Sequence, residues 1–147
     1  MAGKYKGARK GVRRLLAAVV AIAIILAAGI LGRHSEQKGP RGGTDEQRLA
    51  FLASLGWEAE GTPETQRTIR LPEEFPEVLK NYNELQKQQG FDLEKYAGKE
   101  VTMVVYPLRN YPDVTDEVLC SLYIYRGRII GGDIHSTAFD GFMRSLR

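Results

Sequence analysis

An α+β domain carried behind one N-terminal transmembrane helix is the architecture this sequence predicts. Three observations predict it. Leu15 to Leu31 (LLAAVVAIAIILAAGIL) is a run of 17 residues without a charge or a strong polar group. Amphipathic stretches with helical spacing follow between Thr44 and Gln89. Runs rich in β-branched residues then crowd into positions 100 to 134. Helices and antiparallel strands that segregate along the chain belong to the α+β class. The expected domain is a three- to four-stranded, mainly antiparallel sheet packed by about three helices.

The chain has 147 residues, a one-domain length, and a formal net charge of +3. That charge averages two unlike parts. Lys4, Lys6, Arg9, Lys10, Arg13 and Arg14 precede the apolar run with no acid among them. From Thr44 onward there are 12 Lys and Arg against 17 Asp and Glu, a net of −5. The folded part would repel phosphate, so no nucleic-acid partner is expected. The basic block instead reads as a topology signal that stays in the cytoplasm.

The apolar run would span about 25 Å as a helix, the short end of what crosses a bilayer. The expected division is therefore a cytoplasmic basic tail over 1–14, a signal anchor in the lipid bilayer over 15–31, a flexible stalk over 32–43 and an extracytoplasmic domain over 44–147. A cleaved secretory signal is the alternative, which would release the domain outside the cell. Ile30 and Leu31 continue the apolar run past the small residues Ala27-Ala28-Gly29, which argues against a cleavage site there. The stalk segment His34 to Gly43 (HSEQKGPRGG) is polar and glycine-rich.

Within the domain, Thr44-Asp45-Glu46-Gln47 fits a capping box, and Leu49, Phe51, Leu52 and Leu55 form the apolar stripe of a first helix. Gly56 suits the left-handed residue that ends it, with Trp57 packing back on Leu52. Gln66 to Leu71 is a short strand candidate. Pro72 to Gln89 carries a second helix whose stripe is Phe75, Val78 or Leu79, Tyr82 and Leu85. Gly90 ends it, and Gln86, Lys87, Gln88 and Gln89 read as its solvated end. Glu100 to Leu108 is a strand. Val118 to Tyr125 and Arg128 to Ile134 form a hairpin about Arg126-Gly127. Phe139, Phe142, Met143 and Leu146 have the spacing of a last helix capped by Ser136 or Thr137.

Several of these residues carry a resemblance. Tyr82-Asn83-Glu84-Leu85-Gln86, Gly90-Phe91-Asp92-Leu93, Tyr96, Gly98-Lys99, Asn110-Tyr111-Pro112, Gly131-Gly132-Asp133 and Asp140-Gly141-Phe142-Met143 resemble an uncharacterised bacterial family, domain of unknown function 4830. The resemblance covers about Arg48 to Leu146. It implies that family's fold, an N-terminal membrane segment and the envelope of a Gram-positive (Firmicute) cell. It implies no activity and transfers no catalytic residue.

Few residues could carry chemistry. Cys120 is the single cysteine, and His34 and His135 are the two histidines, so no disulfide within the chain and no dedicated metal site are expected. No cofactor motif occurs, and Gly131-Gly132 sits inside a strand pattern, where glycines mark a bulge or a close backbone approach. If Arg126-Gly127 is a two-residue turn, Cys120 falls opposite Asp133 with His135 its diagonal neighbour. That would be a Cys–His nucleophilic site, with Cys120 attacking, His135 as base and Asp133 orienting it. Against it, Cys120 alternates with Val118, Leu122 and Ile124 as a small buried hydrophobe does. Tyr106, Tyr111, Tyr123 and Tyr125 are the candidate binding surface, because aromatics with polar tips favour interfaces.

The function expected from these features is a non-enzymatic, membrane-tethered extracytoplasmic module that binds an envelope protein, peptide or glycan. The alternative is an envelope thiol hydrolase or transferase using Cys120 and His135.

Overall fold

The computed structural model of the chain describes residues 39–114 and 116–147. The basic tail, the apolar run over 15–31 and the first part of the stalk lie outside the described residues. Among the described residues no helix is long and apolar enough to cross a membrane.

The element order is α1 (Asp45–Ser54), β1 (Thr65–Arg70), α2 (Glu77–Gln88), a 3-10 turn (Leu93–Tyr96), β2 (Glu100–Pro107), β3 (Val118–Tyr125), β4 (Arg128–Ser136) and β5 (Met143–Arg144). The strands form one antiparallel sheet in the order β1-β2-β3-β4-β5. The α+β class is as expected, with five strands in place of three to four and two α-helices in place of three.

Strand alternation sends neighbouring residues to opposite faces, and each face builds its own core. On the α1 face, Phe51 and Leu52 pack with Val104, Tyr106, Val118, Cys120, Leu122, Ile124, Ile134 and Leu146. On the α2 face, Leu71, Phe75, Leu93, Val101 and Ile130 pack with Leu79, Tyr82, Tyr96, Tyr123 and Tyr125. Each fully buried Leu or Ile in these clusters is worth about 1.5–3 kcal/mol relative to exposure.

Helix ends follow the local chemistry. Thr44 Oγ1 accepts from the Gln47 amide, while the Gln47 side chain accepts from Gly43 N rather than closing on Thr44 itself. Gly56 adopts φ +89° and the Trp57 amide donates to Leu52 O at 3.0 Å, which stops α1. Gly90, with φ +84°, and the bond from Phe91 N to Gln86 O stop α2 in the same way. Between β3 and β4, Arg126 and Gly127 both take positive φ, +48° and +73°, the two-residue hairpin turn expected there.

Three expectations are corrected here. The last helix does not form: residues after Ser136 turn back and pair as β5, with His135 opposite Met143 and Ser136 N donating to Phe142 O. The apolar spacing of that segment is met instead by Phe142 stacking on Tyr111 and Leu146 entering the α1-face core. The domain starts earlier than Thr44, because residues 39–43 are docked on the hairpin. Gly42 N donates to Gly127 O, Ile129 N donates to Pro40 O, and Arg41 bridges Arg128. Arg48 fixes this segment to the sheet. Its guanidinium is buried and donates to Gly42 O at 2.9 Å, the Tyr106 hydroxyl at 2.8 Å and Asp45 at 2.6 Å.

The third correction concerns the end of α2. Gln86 and Gln89 are buried, not solvated. Gln86 Oε1 accepts from Gly132 N at 2.9 Å, and Gln89 Nε2 donates to Gly132 O at 3.0 Å. Asn83 joins the same polar stripe, accepting from Leu93 N and donating to Asp92. The helix therefore seats amides, not an apolar ridge, against the edge of β4. Gly131 makes that approach feasible, while Gly132 makes room for β3 and Leu146 on the other face. A Cβ at Gly131 would lie 2.9 Å from Leu93 Cδ2, and one at Gly132 would lie 2.6 Å from Ser121 O.

Candidate functional site

Because α2 spends its polar stripe on the sheet edge, its apolar stripe is only partly covered. Leu79 and Tyr82 reach the α2-face core, whereas Val78 remains 72% exposed. Val78, Leu79, Tyr82 and Leu85 form one wall of a groove, and Tyr123 of β3 and Met143 of β5 form the other, enclosing about 510 Å³ with Asn81 also lining it. Met143 is 54% exposed. A contiguous apolar surface of this kind, open to solvent, is what binding sites present.

A chain of three polar side chains starts from Tyr82 in the groove wall. The Tyr82 hydroxyl donates to Asp133 Oδ2 at 2.5 Å, and His135 Nδ1 lies 2.8 Å from Asp133 Oδ1. Asp133 is 2% exposed, so its carboxyl group meets these two partners rather than water. An ionised carboxylate only accepts, so Nδ1 of His135 carries the proton and Nε2 is the nitrogen left over. The bond to Asp133 raises the His135 pKa above its usual value, partly offset by burial, with the charges of Asp133 and Glu64 adding to the rise. Burial pushes the Tyr82 hydroxyl up, and the Asp133 charge pushes it further. Tyr82 also meets Tyr123 edge-on, at 6.2 Å between centroids.

The thiol site is not assembled. The hairpin starts in the expected register, Tyr125 with Arg128 and Ile124 with Ile129. Ile130 is then extra, a bulge that pairs Tyr123 with Gly131 and every later residue one place further along. Cys120 consequently faces Ile134, and Asp133 faces Ser121. Cys120 lies on the α1 face in the core, while Asp133 and His135 lie on the α2 face. Burial, with the Asp133 charge adding to it, pushes the Cys120 thiol far from ionisation.

The four tyrosines do not make one surface either. Tyr106 pairs with Cys120 and is fully buried on the α1 face, its hydroxyl donating to Asp45 at 2.5 Å. Tyr111 stacks between Trp57 and Phe142, with centroids 5.8 and 4.9 Å away, on that same side. Tyr125 packs on Tyr96 at 5.3 Å and lies under Arg126. Tyr123 alone of the four lines the groove. Tyr82 sits in the apolar stripe of α2 as its spacing predicts, and nothing in the sequence signals its bond to Asp133. Among the described residues, no group of three or more His, Cys, Asp or Glu side chains could hold a metal ion.

Fold and site together define a small α+β domain with a five-stranded antiparallel sheet and an apolar groove beside a part-buried Tyr–Asp–His chain. A family model described as a domain of unknown function (DUF4830) matches residues 51–134, over half of the chain, and the chain belongs to that family. The matched span contains Tyr82, Tyr123 and Asp133, while His135 and Met143 fall just beyond it. No curated protein and no solved structure matches the chain.

Proposed function

We propose that this is a single-pass membrane-anchored protein whose C-terminal domain is a non-enzymatic binding module facing the bacterial cell envelope. The observation that carries the binding role is the groove, where Val78 and Met143 stand largely exposed beside Tyr82 and Tyr123. The anchor rests on the sequence: a basic arm precedes an apolar run of 17 residues. Tethering supports a partner within reach, because an anchored site raises effective concentration. The apolar lining favours a ligand with an apolar body over a glycan, since the dispersed tyrosines offer no sugar-stacking platform. The Gram-positive setting rests on the family resemblance.

Two measurements test this reading. Protease treatment of intact protoplasts should remove a C-terminal tag and leave a membrane-bound N-terminal stub. A trimmed soluble product in the medium would replace the anchor with a cleaved signal, and full protection would overturn the outward orientation. A photo-crosslinking residue placed at Val78 should capture a ligand or partner in cells, and one placed at Lys95 should not. Equal capture at both positions would remove the groove from the binding role.

A further inference from the structure

We infer that the open border of β1 is a self-association surface: two copies of this chain pair antiparallel along it, with the two-fold axis through Thr68. This goes beyond the groove reading and does not depend on it. β1 pairs with β2 over residues 65–70 without a register shift, and it carries neither a proline nor a bulge of the kind that blunts a sheet border. Gln66, Arg67, Thr68 and Arg70 are exposed, and no strand lies on the outer side of β1 among the described residues.

Alternation decides which backbone groups face that border. In an antiparallel ladder every second pair exchanges both hydrogen bonds. The Leu71 amide donates to Lys99 O at 2.9 Å, in register with the β1–β2 ladder. Counting back by twos, Ile69, Arg67 and Thr65 also turn their amides and carbonyls to β2. Gln66, Thr68 and Arg70 therefore turn theirs to the open side.

This pattern selects one register. With the axis through Thr68, Thr68 meets Thr68 and Gln66 meets Arg70 of the other copy, so every outward amide and carbonyl finds a partner. An axis between two residues would set outward groups against inward ones. An axis through Arg67 would put that arginine directly against itself, which is unfavourable. It would also bring Arg70 to Glu64, whose amide already donates to Val105 O. An axis through Ile69 would bring Gln66 to Pro72, which has no N–H to give.

The side chains agree with the same register. Directly opposed threonines are a favourable cross-strand pair. Arg67 lies opposite the other copy's partly buried Ile69 and covers it with its aliphatic stem. Arg70 lies opposite the neutral Gln66 and diagonal to Glu64, and Glu73 of its own copy stands 4.0 Å away. Residues 64–73 carry two arginines and two glutamates, so the two borders do not repel as wholes. The diagonal between the two Arg67 residues is the opposing contribution, and solvent and salt screen it. A foreign strand would gain the same backbone bonds, but this two-fold match of side chains belongs to a second copy.

The test uses the full chain in detergent with single cysteines introduced in β1. Thr68→Cys should give a disulfide-linked dimer under mild oxidation, because a directly opposed hydrogen-bonded pair has its Cα atoms about 5.5 Å apart, inside the disulfide range. Gln66→Cys, on the same face of the same strand, should stay monomeric, because its two copies lie about 14 Å apart along the strands. The native Cys120 is buried and adds no background. As a second reading, Thr68→Lys sets two ammonium groups opposite each other. Sedimentation should then show dimerisation weakened about fivefold, with the circular dichroism spectrum unchanged. Crosslinking at neither position, at both equally or at Gln66→Cys instead would overturn the inference, as would a dimer indifferent to Thr68→Lys. Adducts of Thr68→Cys with other proteins in cells, and none with itself, would give the border to a foreign strand and overturn it too.

Discussion

Gln89 stands against Gly132 where a strand residue would otherwise pair. Ile134 pairs with Arg144 and His135 with Met143, and the same register carried further sets Gly132 against Leu146. Their backbone groups are bridged rather than paired. The Gln89 amide lies between them, donating to Gly132 O at 3.0 Å and accepting from Leu146 N at 2.8 Å. A side-chain amide has the donor and acceptor of a peptide group, so it can stand in for one. Gln89→Leu should leave both backbone groups buried and unpaired and cost about 2–4 kcal/mol. Urea unfolding followed by the fluorescence of Trp57, the single tryptophan, measures this. A loss under 1 kcal/mol would show that the bridge contributes little.

The glycine pair should rank in a defined order. Gly132→Ala places a methyl 2.6 Å from the backbone oxygen of Ser121, which cannot step aside. Gly131→Ala meets the ends of two side chains, Leu93 and Gln86, at 2.9 and 3.0 Å. The first should cost about 3 kcal/mol and the second about half that, in the range of overpacking. Gly61→Ala, with no atom within 4 Å, serves as the neutral control. Unfolding midpoints of the three variants should fall in that order.

Acid stability should depend on Asp45. Its hydrogen bond from Tyr106, then that from Arg48, holds its pKa below the ordinary 3.8. A depressed carboxylate contributes stability above its unfolded pKa and loses it as pH falls through the folded one. Asp45→Asn should therefore weaken the protein at pH 7, and the penalty should fade as pH falls below the ordinary carboxylate range. The side chain is 45% exposed, so solvent screening limits the effect at pH 7 to roughly 0.5–1 kcal/mol. Unfolding curves at pH 7 and pH 2.5 check the sign. A penalty that grows toward low pH would contradict it.

Cys120 should be inert in the folded protein. It is fully buried between Val118, Leu122 and Ile134 in the α1-face core. A small aromatic disulfide reagent should fail to label it in native buffer and should react fully in denaturant. Native labelling within minutes would place the thiol at the surface.

Much of this fold was legible because local rules and tertiary packing agree. The spans of β2, β3 and β4, the Arg126-Gly127 turn and the glycine ends of both helices follow from alternation and turn chemistry. The burial of Cys120 was legible from its apolar alternation. What escaped had a common physical cause, polar or surplus residues used against pattern. Gln86 and Gln89 look solvent-facing in any hydropathy reading, yet they satisfy the backbone of Gly132. Ile130 is one β-branched residue among three, and nothing local marks it as the bulge. That one residue moves Asp133 and His135 away from Cys120 and toward Tyr82, so the register error removed one site and concealed another. The final segment has helical spacing but pairs at Met143–Arg144 as β5, with Phe142 and Leu146 both packed on the α1-face core.

The two borders of the sheet are treated unlike each other. Along β4, the outer border is closed at one end by residues 40–42, in the middle by Gln86 and Gln89, and at the other end by β5. Along β1, no neighbour pairs on the outer side among the described residues. β1, with six residues, is the long open border, and two copies can join along it in a closed two-fold pairing. The opposite border of the sheet is β5, only two residues long, which offers a third copy little to pair with. The closures along β4 therefore work against a filament grown by edge-to-edge addition of the native sheet.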